Sequence, residues 1–293
     1  MIRIADQSIS SIDSDIERDG VTPMQKWKVA VVQMDVTIGE PETNWAHMDR
    51  LLYQLVKPSA VTEKNRKPDI IILPEMWNIG YALEEAPRIA DMDGKRTISY
   101  FSDFCKKHQV NVIAGSIAMI EGEKISNCAI VFNRNGEVVH QYRKAHLFQL
   151  MDEHLHLTSG NDAGLFDLDG VKCGLMICYD IRFPEWARNY ALAGAEVLFV
   201  PAQWPHPRLE HWRTLLQARA IENQMMVVAC NRSGKSGDTE FVGHSVVIDP
   251  WGTRIAELSE NEAILHAELD LDLIAHVRKK IPIFADRRPN LYE

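Results

Sequence analysis

No apolar run in these 293 residues approaches the roughly 20 needed for a helix to cross a bilayer. No basic cluster is present either. Lysine and arginine number 32 against 41 aspartates and glutamates, and the formal charge of −9 argues against nucleic acid as a partner. Cysteine is scarce: Cys105, Cys128, Cys173, Cys178 and Cys230 are odd in number and contain no Cys-x-x-Cys pair. In a reducing compartment such residues stay free thiols, and one of them could be a nucleophile. Met1 to Gly20 lacks the apolar core of a signal peptide, so a cytoplasmic location without membrane attachment is expected. No linker, short repeat or low-complexity tract interrupts residues 27–285. Gly234-Lys235-Ser236-Gly237 lacks the full phosphate-loop pattern and reads as a surface loop.

What remains is ordinary for a globular protein: 46% hydrophobic and 25% charged residues, enough for a sizeable core in one α/β domain. Residues 1–25 are Ser/Asp-rich without apolar period and read as a mobile extension, with 26–293 as the single domain. Met24, just before the first strand, could serve as an alternative start.

From Trp27 onward strands alternate with helices. Val29–Val32 and Asp69–Leu73 are continuous apolar strands, and Asn111–Ala114 is a third. Trp45, Met48, Leu51, Leu52, Leu55 and Val56 share one face of a helix near Pro41, and a helix over 95–108 turns Ile98, Phe101 and Cys105 inward. Asn135-Gly136 predicts a hairpin between 128–132 and 137–142. Strands follow at Val171–Cys178, Glu196–Val200, Met226–Cys230 and Ser245–Ile248, the last ending in an Asp249–Gly252 turn. Helices are expected from Pro184 to Gly194 and around Leu209 to Ala220. Continuous apolar strands need both faces covered, and the hairpin requires antiparallel pairing, so mixed sheets with helices outside are expected.

Three polar residues stand where such strands end: Glu75 after IIIL-Pro, Lys144 after the hairpin's second arm, and Cys178 at the close of VKCGLMIC. Strand exits are where α/β folds assemble sites. A thiol of ordinary pKa about 8.5 needs a base or cation to attack at neutral pH. Glu75 could take that proton, and Lys144 with the Tyr179 N–H could face an oxyanion. Each residue also has a plain structural reading. A cysteine in a strand is commonly core, Glu75 could cap a helix, and Lys144 could be a solvated charge. Cys173, five residues before Cys178, falls on the opposite face of a regular strand.

The segments LPEMW (73–77), YRKAHLF (142–148) and ICYDIRFPE (177–185) together resemble the three signature blocks of the nitrilase superfamily. The likeness continues through GHSVVIDPWG (243–252) and covers roughly residues 28–285. It implies a four-layer α-β-β-α sandwich of two mixed sheets. It also implies Glu75 as base, Lys144 as the family's lysine and Cys178 as nucleophile. Glu153 matches a second family glutamate that orients the substrate amide or tunes Lys144. The reaction implied is hydrolysis of a non-peptide amide through a thioester, with ammonia released. No metal or organic cofactor is implied, and pairing into homodimers through helices beside the site is. RKAHLFQLMDEH (143–154) and CYDIRFPEWAR (178–188) are most similar to bacterial omega-amidases, the kind linked to methionine salvage. These act on the terminal amide of 2-oxo acids such as 2-oxoglutaramate. A nitrilase, a carbamoyl-amine hydrolase, another amidase or a non-catalytic binding protein are the alternatives.

Other features stay open. Arg182, Arg208 and Arg143 could each hold a substrate carboxylate, and Arg182 could equally pair with Glu185. Trp77, Trp204 and Trp212 could line a pocket or fill the core. His140, His146, His154, His156, His206 and His211 lack a matching ligand pattern for a metal.

Overall fold

The computed structural model describes residues 25–57 and 67–292. All but the last residue of the expected extension, Met24 included, lies outside them. β1 (Lys26–Gln33) leads into α1 (Pro41–Val56), which opens on Pro41 in its first turn and buries Trp45, Met48, Leu51, Leu52 and Leu55. β2 (Ile70–Ile72) follows, then α2 (Ala86–Ile89), β3 (Asp91–Met92) and α3 (Lys95–His108). β4 (Asn111–Glu121), β5 (Lys124–Phe132) and β6 (Val138–Arg143) form an antiparallel run. The second half holds α4 (Glu153–His156), β7 (Leu165–Leu168), β8 (Val171–Leu175), α5 (Pro184–Leu192) and β9 (Val197–Ala202). α6 (Leu209–Asn223) and β10 (Met226–Asn231) follow. β11 (Lys235–Ser236) and β12 (Thr239–Glu240) make a two-stranded hairpin where the sequence reads as a plain loop. β13 (Val246–Ile248) and β14 (Arg254–Glu257) precede β15 (Ala263–Asp270) and α7 (Asp272–Lys280).

The strands make two mixed sheets. One runs β15-β1-β2-β4-β5-β6 with β3 beside β4, and the other β14-β13-β10-β9-β8-β7. Side-chain alternation divides their cargo. Val29 and Val31 of β1 and Ile70 and Ile72 of β2 join the second sheet in one core. Their neighbours Ala30, Val32 and Ile71 pack against α1 and α3 in another. α5 and α6 cover the second sheet, completing four layers.

Two differences from the sequence reading have physical causes. β4 does not stop at Ala114. Gly115, at φ +59°, sits in a register shift that lets the strand continue to Glu121. The strand read through to Cys178 ends at Leu175, because the Asp180 carboxylate takes the Ile177 N–H at 2.9 Å and the chain folds into a 3₁₀ turn over Cys178–Arg182. The opposite-face argument for Cys173 and Cys178 therefore does not apply. Cys173 is in the strand, and Cys178 is in the turn at φ +47°.

The register shift in β4 also holds the exit of β2. Ser116 N–H donates to the Pro74 carbonyl at 3.1 Å, and the Ser116 hydroxyl accepts from Met76 N–H at 3.0 Å. A Cβ at position 115 would lie 2.0 Å from the Pro74 oxygen, whereas Gly122, with a similar φ of +60°, has open space. Gly115→Ala is expected to cost about 3 kcal/mol or more, a drop in Tm of roughly 6–12 °C, and Gly122→Ala about 1 kcal/mol. Thermal melts of both variants check this; equal losses would show that the close approach to Pro74 is relaxed without cost.

Candidate active site

The C-terminal ends of β2, β6, β8 and β9 bring Glu75, Lys144, Cys178 and Gln203 to one place. Glu75 is fully buried. Its Oε1 accepts from Lys144 Nζ at 2.8 Å, Asn127 Nδ2 at 2.7 Å and the Tyr81 hydroxyl at 3.1 Å. Its Oε2 accepts from Gln203 N–H at 2.8 Å. Lys144 Nζ also meets Glu153 Oε1 at 2.7 Å. Glu153, on the short helix α4, accepts from the Tyr81 hydroxyl at 2.6 Å and from Phe148 N–H at 2.8 Å. Glu153 thus touches Lys144, a contact that suits the tuning role among the two the resemblance implies for it.

One ammonium faces two carboxylates, all without exposure, so the group carries a net negative charge. Burial works to lower the Lys144 pKa, but Glu153 and Glu75 outweigh it and hold the ammonium charged. Burial pushes the Cys178 thiol well above its ordinary value, Glu75 pushes it further, and Lys144 offsets only part. The thiol therefore rests protonated beside a carboxylate, and ionising it requires a proton acceptor.

Asp180 fixes the turn that carries Cys178. Its carboxylate accepts from Ile177 N–H at 2.9 Å, Tyr142 OH at 2.8 Å and His146 N–H at 3.0 Å. From α6, Arg219 donates to the Ile181 carbonyl at 2.7 and 3.0 Å.

Cys178 opens onto a cleft of about 260 Å³, counting its mouth. Tyr81, Phe148, Met151, Tyr179, Trp204 and Pro205 wall it, with Arg182 and Arg208. The Arg182 guanidinium lies 4.7 Å from the Trp204 ring centre and donates to His211 Nδ1 at 3.3 Å, and that of Arg208 lies 5.6 Å from Phe148. Neither arginine makes an ion pair among the described residues, so the pairing of Arg182 with Glu185 is not formed. Burial and the neighbouring Arg208 charge both lower the Arg182 pKa.

Other candidates lie elsewhere. Arg143 forms a bidentate pair with Glu121 at 2.6–2.9 Å, which removes it as a carboxylate clamp. Trp77 is core, its Nε1 donating to the Ala114 carbonyl at 2.8 Å, and Trp212 packs 5.5 Å behind Trp204. His146 pairs with Asp180 at 2.7 Å, and His140 stacks on Phe166. Among the described residues no group of three or more His, Cys, Asp or Glu side chains gathers as a metal site.

Asn127, Tyr81, Gln203 and Asp180 were not legible as site residues. A signal was present: Asn127 interrupts the apolar run ISNCAIVF, and Gln203 follows VLFVPA as Glu75 follows IIIL-Pro.

Residues 28–279 match the family model described as Carbon-nitrogen hydrolase. The chain is 46% identical to the 2-oxoglutaramate amidase of Bacillus subtilis over 268 residues, 91% of this chain and all of the relative. Identity to the omega-amidase YafV of Escherichia coli is 35%, over 88% of this chain and 96% of that one. Among solved structures, a CN-hydrolase superfamily protein of Xanthomonas campestris, XC1258, superposes with a TM-score of 0.81 at 28% identity, covering 90% and 98% of the two chains. Nit3 of Saccharomyces cerevisiae, of the nitrilase superfamily, gives 0.80 at 28% identity over 90% and 97%.

Cys178 is 6% exposed at the cleft, while the other four cysteines are fully buried. Burial also pushes Cys105 and Cys128 up to about 12. At neutral pH iodoacetamide is expected to modify the folded protein once, at Cys178, and the other four thiols only after unfolding. Intact mass and peptide mapping read this directly; a native adduct on Cys173 or Cys230 would contradict the burial pattern.

Proposed function

This chain belongs to the carbon–nitrogen hydrolase family and is an amidase of the nitrilase superfamily; we propose that it hydrolyses the terminal amide of a 2-oxo acid such as 2-oxoglutaramate through a thioester on Cys178. The observation that carries the substrate is the pair Arg182 and Arg208, two guanidiniums beside Cys178 without acidic partners among the described residues, in a cleft walled mostly by aromatic and apolar side chains. A molecule of net charge −9 does not attract anions at long range, so a substrate carboxylate must be held locally. An arginine fork suits a carboxylate.

In this reading Sγ of Cys178 attacks the amide carbon while Glu75 takes the thiol proton. The new oxyanion faces Lys144 and the Tyr179 N–H. Collapse breaks the C–N bond, and Glu75 returns its proton to the leaving nitrogen, which departs as ammonia. Water, deprotonated by Glu75, then attacks the thioester, giving the carboxylate and the free thiol. Glu153 holds Lys144 from the other side. Trp204 and Tyr179 wall the cleft around the substrate chain.

Residues 26–293 act as one catalytic unit in this reading, and 1–25 as an extension dispensable to it. Among the described residues no helix is long and apolar enough to cross a membrane, which suits an enzyme of the cytoplasm. Leu192 and Ile221, 41% and 49% exposed on α5 and α6, suit pairing of two copies through these helices.

Three measurements test the proposal. kcat/KM for 2-oxoglutaramate should exceed that for butyramide by on the order of a hundredfold, because the uncharged amide leaves the arginines unpaired. Arg182→Ala should shrink that ratio, and a matched nitrile should be a poor substrate. Equal values for the two amides in the wild type would sink the substrate assignment and leave the cysteine mechanism standing. Glu75→Gln and Lys144→Ala should each lower kcat by roughly 10²–10³ with little change in KM. Effects on KM alone would reassign both to binding. Deleting residues 1–23 should leave Tm and activity unchanged.

A further inference from the structure

Among the described residues Arg232 is the largest charged side chain without any exposure outside the Glu75–Lys144–Glu153–Cys178 group. It follows β10 as Gln203 follows β9. Its NH1 donates to Gln203 Oε1 at 2.9 Å. Gln203 then grips Glu75 twice: its side-chain Nε2 donates to the Glu75 carbonyl at 2.7 Å, and its backbone N–H to Glu75 Oε2 at 2.8 Å. The other end of the guanidinium is anchored to two separate segments. Arg232 NH2 donates to the Val36 carbonyl, to Asp35 Oδ1 at 3.2 Å and to Ser236 Oγ at 2.6 Å. Phe241 covers its face at 4.1 Å.

A solvated cation would satisfy none of this geometry. A buried guanidinium is costly unless every N–H has a partner. Here its partners include the one amide that holds both ends of the residue read as the base. We infer that Arg232 is a positioning residue for Glu75, acting through Gln203 and setting the direction of that carboxylate. The inference rests on the reading of Glu75 as base. The titratable groups facing Glu75 are Lys144, Tyr81 and Cys178, with Glu153 beyond the lysine. Those facing Arg232 are Asp35 and, more distantly, Tyr81. Removing the Arg232 side chain frees the Gln203 oxygen and lets Gln203 rotate, so Glu75 loses the amide that fixes its position.

The test compares Arg232→Met, Arg232→Lys and Ser236→Ala with the wild type. Steady-state kinetics, Tm and the pH dependence of Cys178 alkylation by iodoacetamide are measured. Arg232→Met is expected to lose roughly 30-fold or more in kcat, with KM within about threefold, since small misplacements of a reacting group cost that much. The Cys178 alkylation rate should fall with it at every pH, because a displaced Glu75 no longer takes the thiol proton. Arg232→Lys keeps the charge but cannot span Gln203, Val36 and Ser236 together, so its kcat should fall about tenfold with a smaller loss of alkylation rate. Ser236→Ala, which leaves the bond to Gln203 intact, should stay near wild type. An Arg232 variant with wild-type kcat overturns the inference. So does a loss of kcat accompanied by a lower Tm with the alkylation rate of the folded protein unchanged, which marks a merely structural arginine. If Arg232→Met does not fold, Arg232→Lys decides alone by the same criteria. The alkylation arm needs no substrate, and the kinetics can use whichever amide the wild type hydrolyses. Failure of the 2-oxo acid assignment is thereby separated from failure of the Arg232 role.

Discussion

A lysine ammonium without access to water, held between two carboxylates, is the constraint that the rest of this site obeys. Leaving any of the three unpaired in the interior would cost several kcal/mol. Lys144 therefore cannot be placed without Glu75 and Glu153, and those cannot be placed without the donors that fill their remaining positions. Asn127, Tyr81, Gln203 and the Phe148 N–H fill them. These donors come from β5, the segment after β2, the end of β9 and the segment before α4, so the polar group ties the first sheet to the second. Burial keeps the Cys178 thiol neutral at rest, and Glu75 beside it adds to that effect.

Part of this was legible in the sequence. Glu75 and Cys178 follow apolar segments and Lys144 the second arm of a hairpin, but each also has a plain structural reading, and only the three motif segments taken together single them out. Mixed sheets were legible from the continuous apolar strands and the Asn135-Gly136 turn, and the sandwich of two sheets from the family resemblance alone. The supporting residues were harder because their partners are distant in sequence. Asn127 and Glu75 are 52 positions apart, Gln203 and Glu75 128. Arg143 misled because its neighbour Lys144 belongs to the site. A strand turns successive side chains to opposite faces, and Arg143 turns to Glu121. Cys178 misled about its strand because a side chain, Asp180, competes with the ladder for a backbone N–H.

Charge is distributed on two scales. The whole molecule is acidic, yet the cleft presents two arginines stacked on aromatic rings. Those rings hold the guanidiniums without neutralising them, as a carboxylate would. The cleft thus keeps its cations for an incoming group while the chemistry below it is negative. A substrate with an anionic tail and a neutral amide head fits that polarity in one orientation.

The segment from Phe148 to Glu153 contributes to both layers by different means. Glu153 joins the buried network through its side chain, and Phe148 joins it through its backbone N–H while its ring faces the cleft. A backbone bond is indifferent to which side chain the residue carries. Substitutions at 148, and at Met151 in the same segment, can therefore reshape the chamber while the buried charges keep their partners. The wall that meets an incoming group is thus separable from the group beneath it, which asks of position 148 only its peptide N–H.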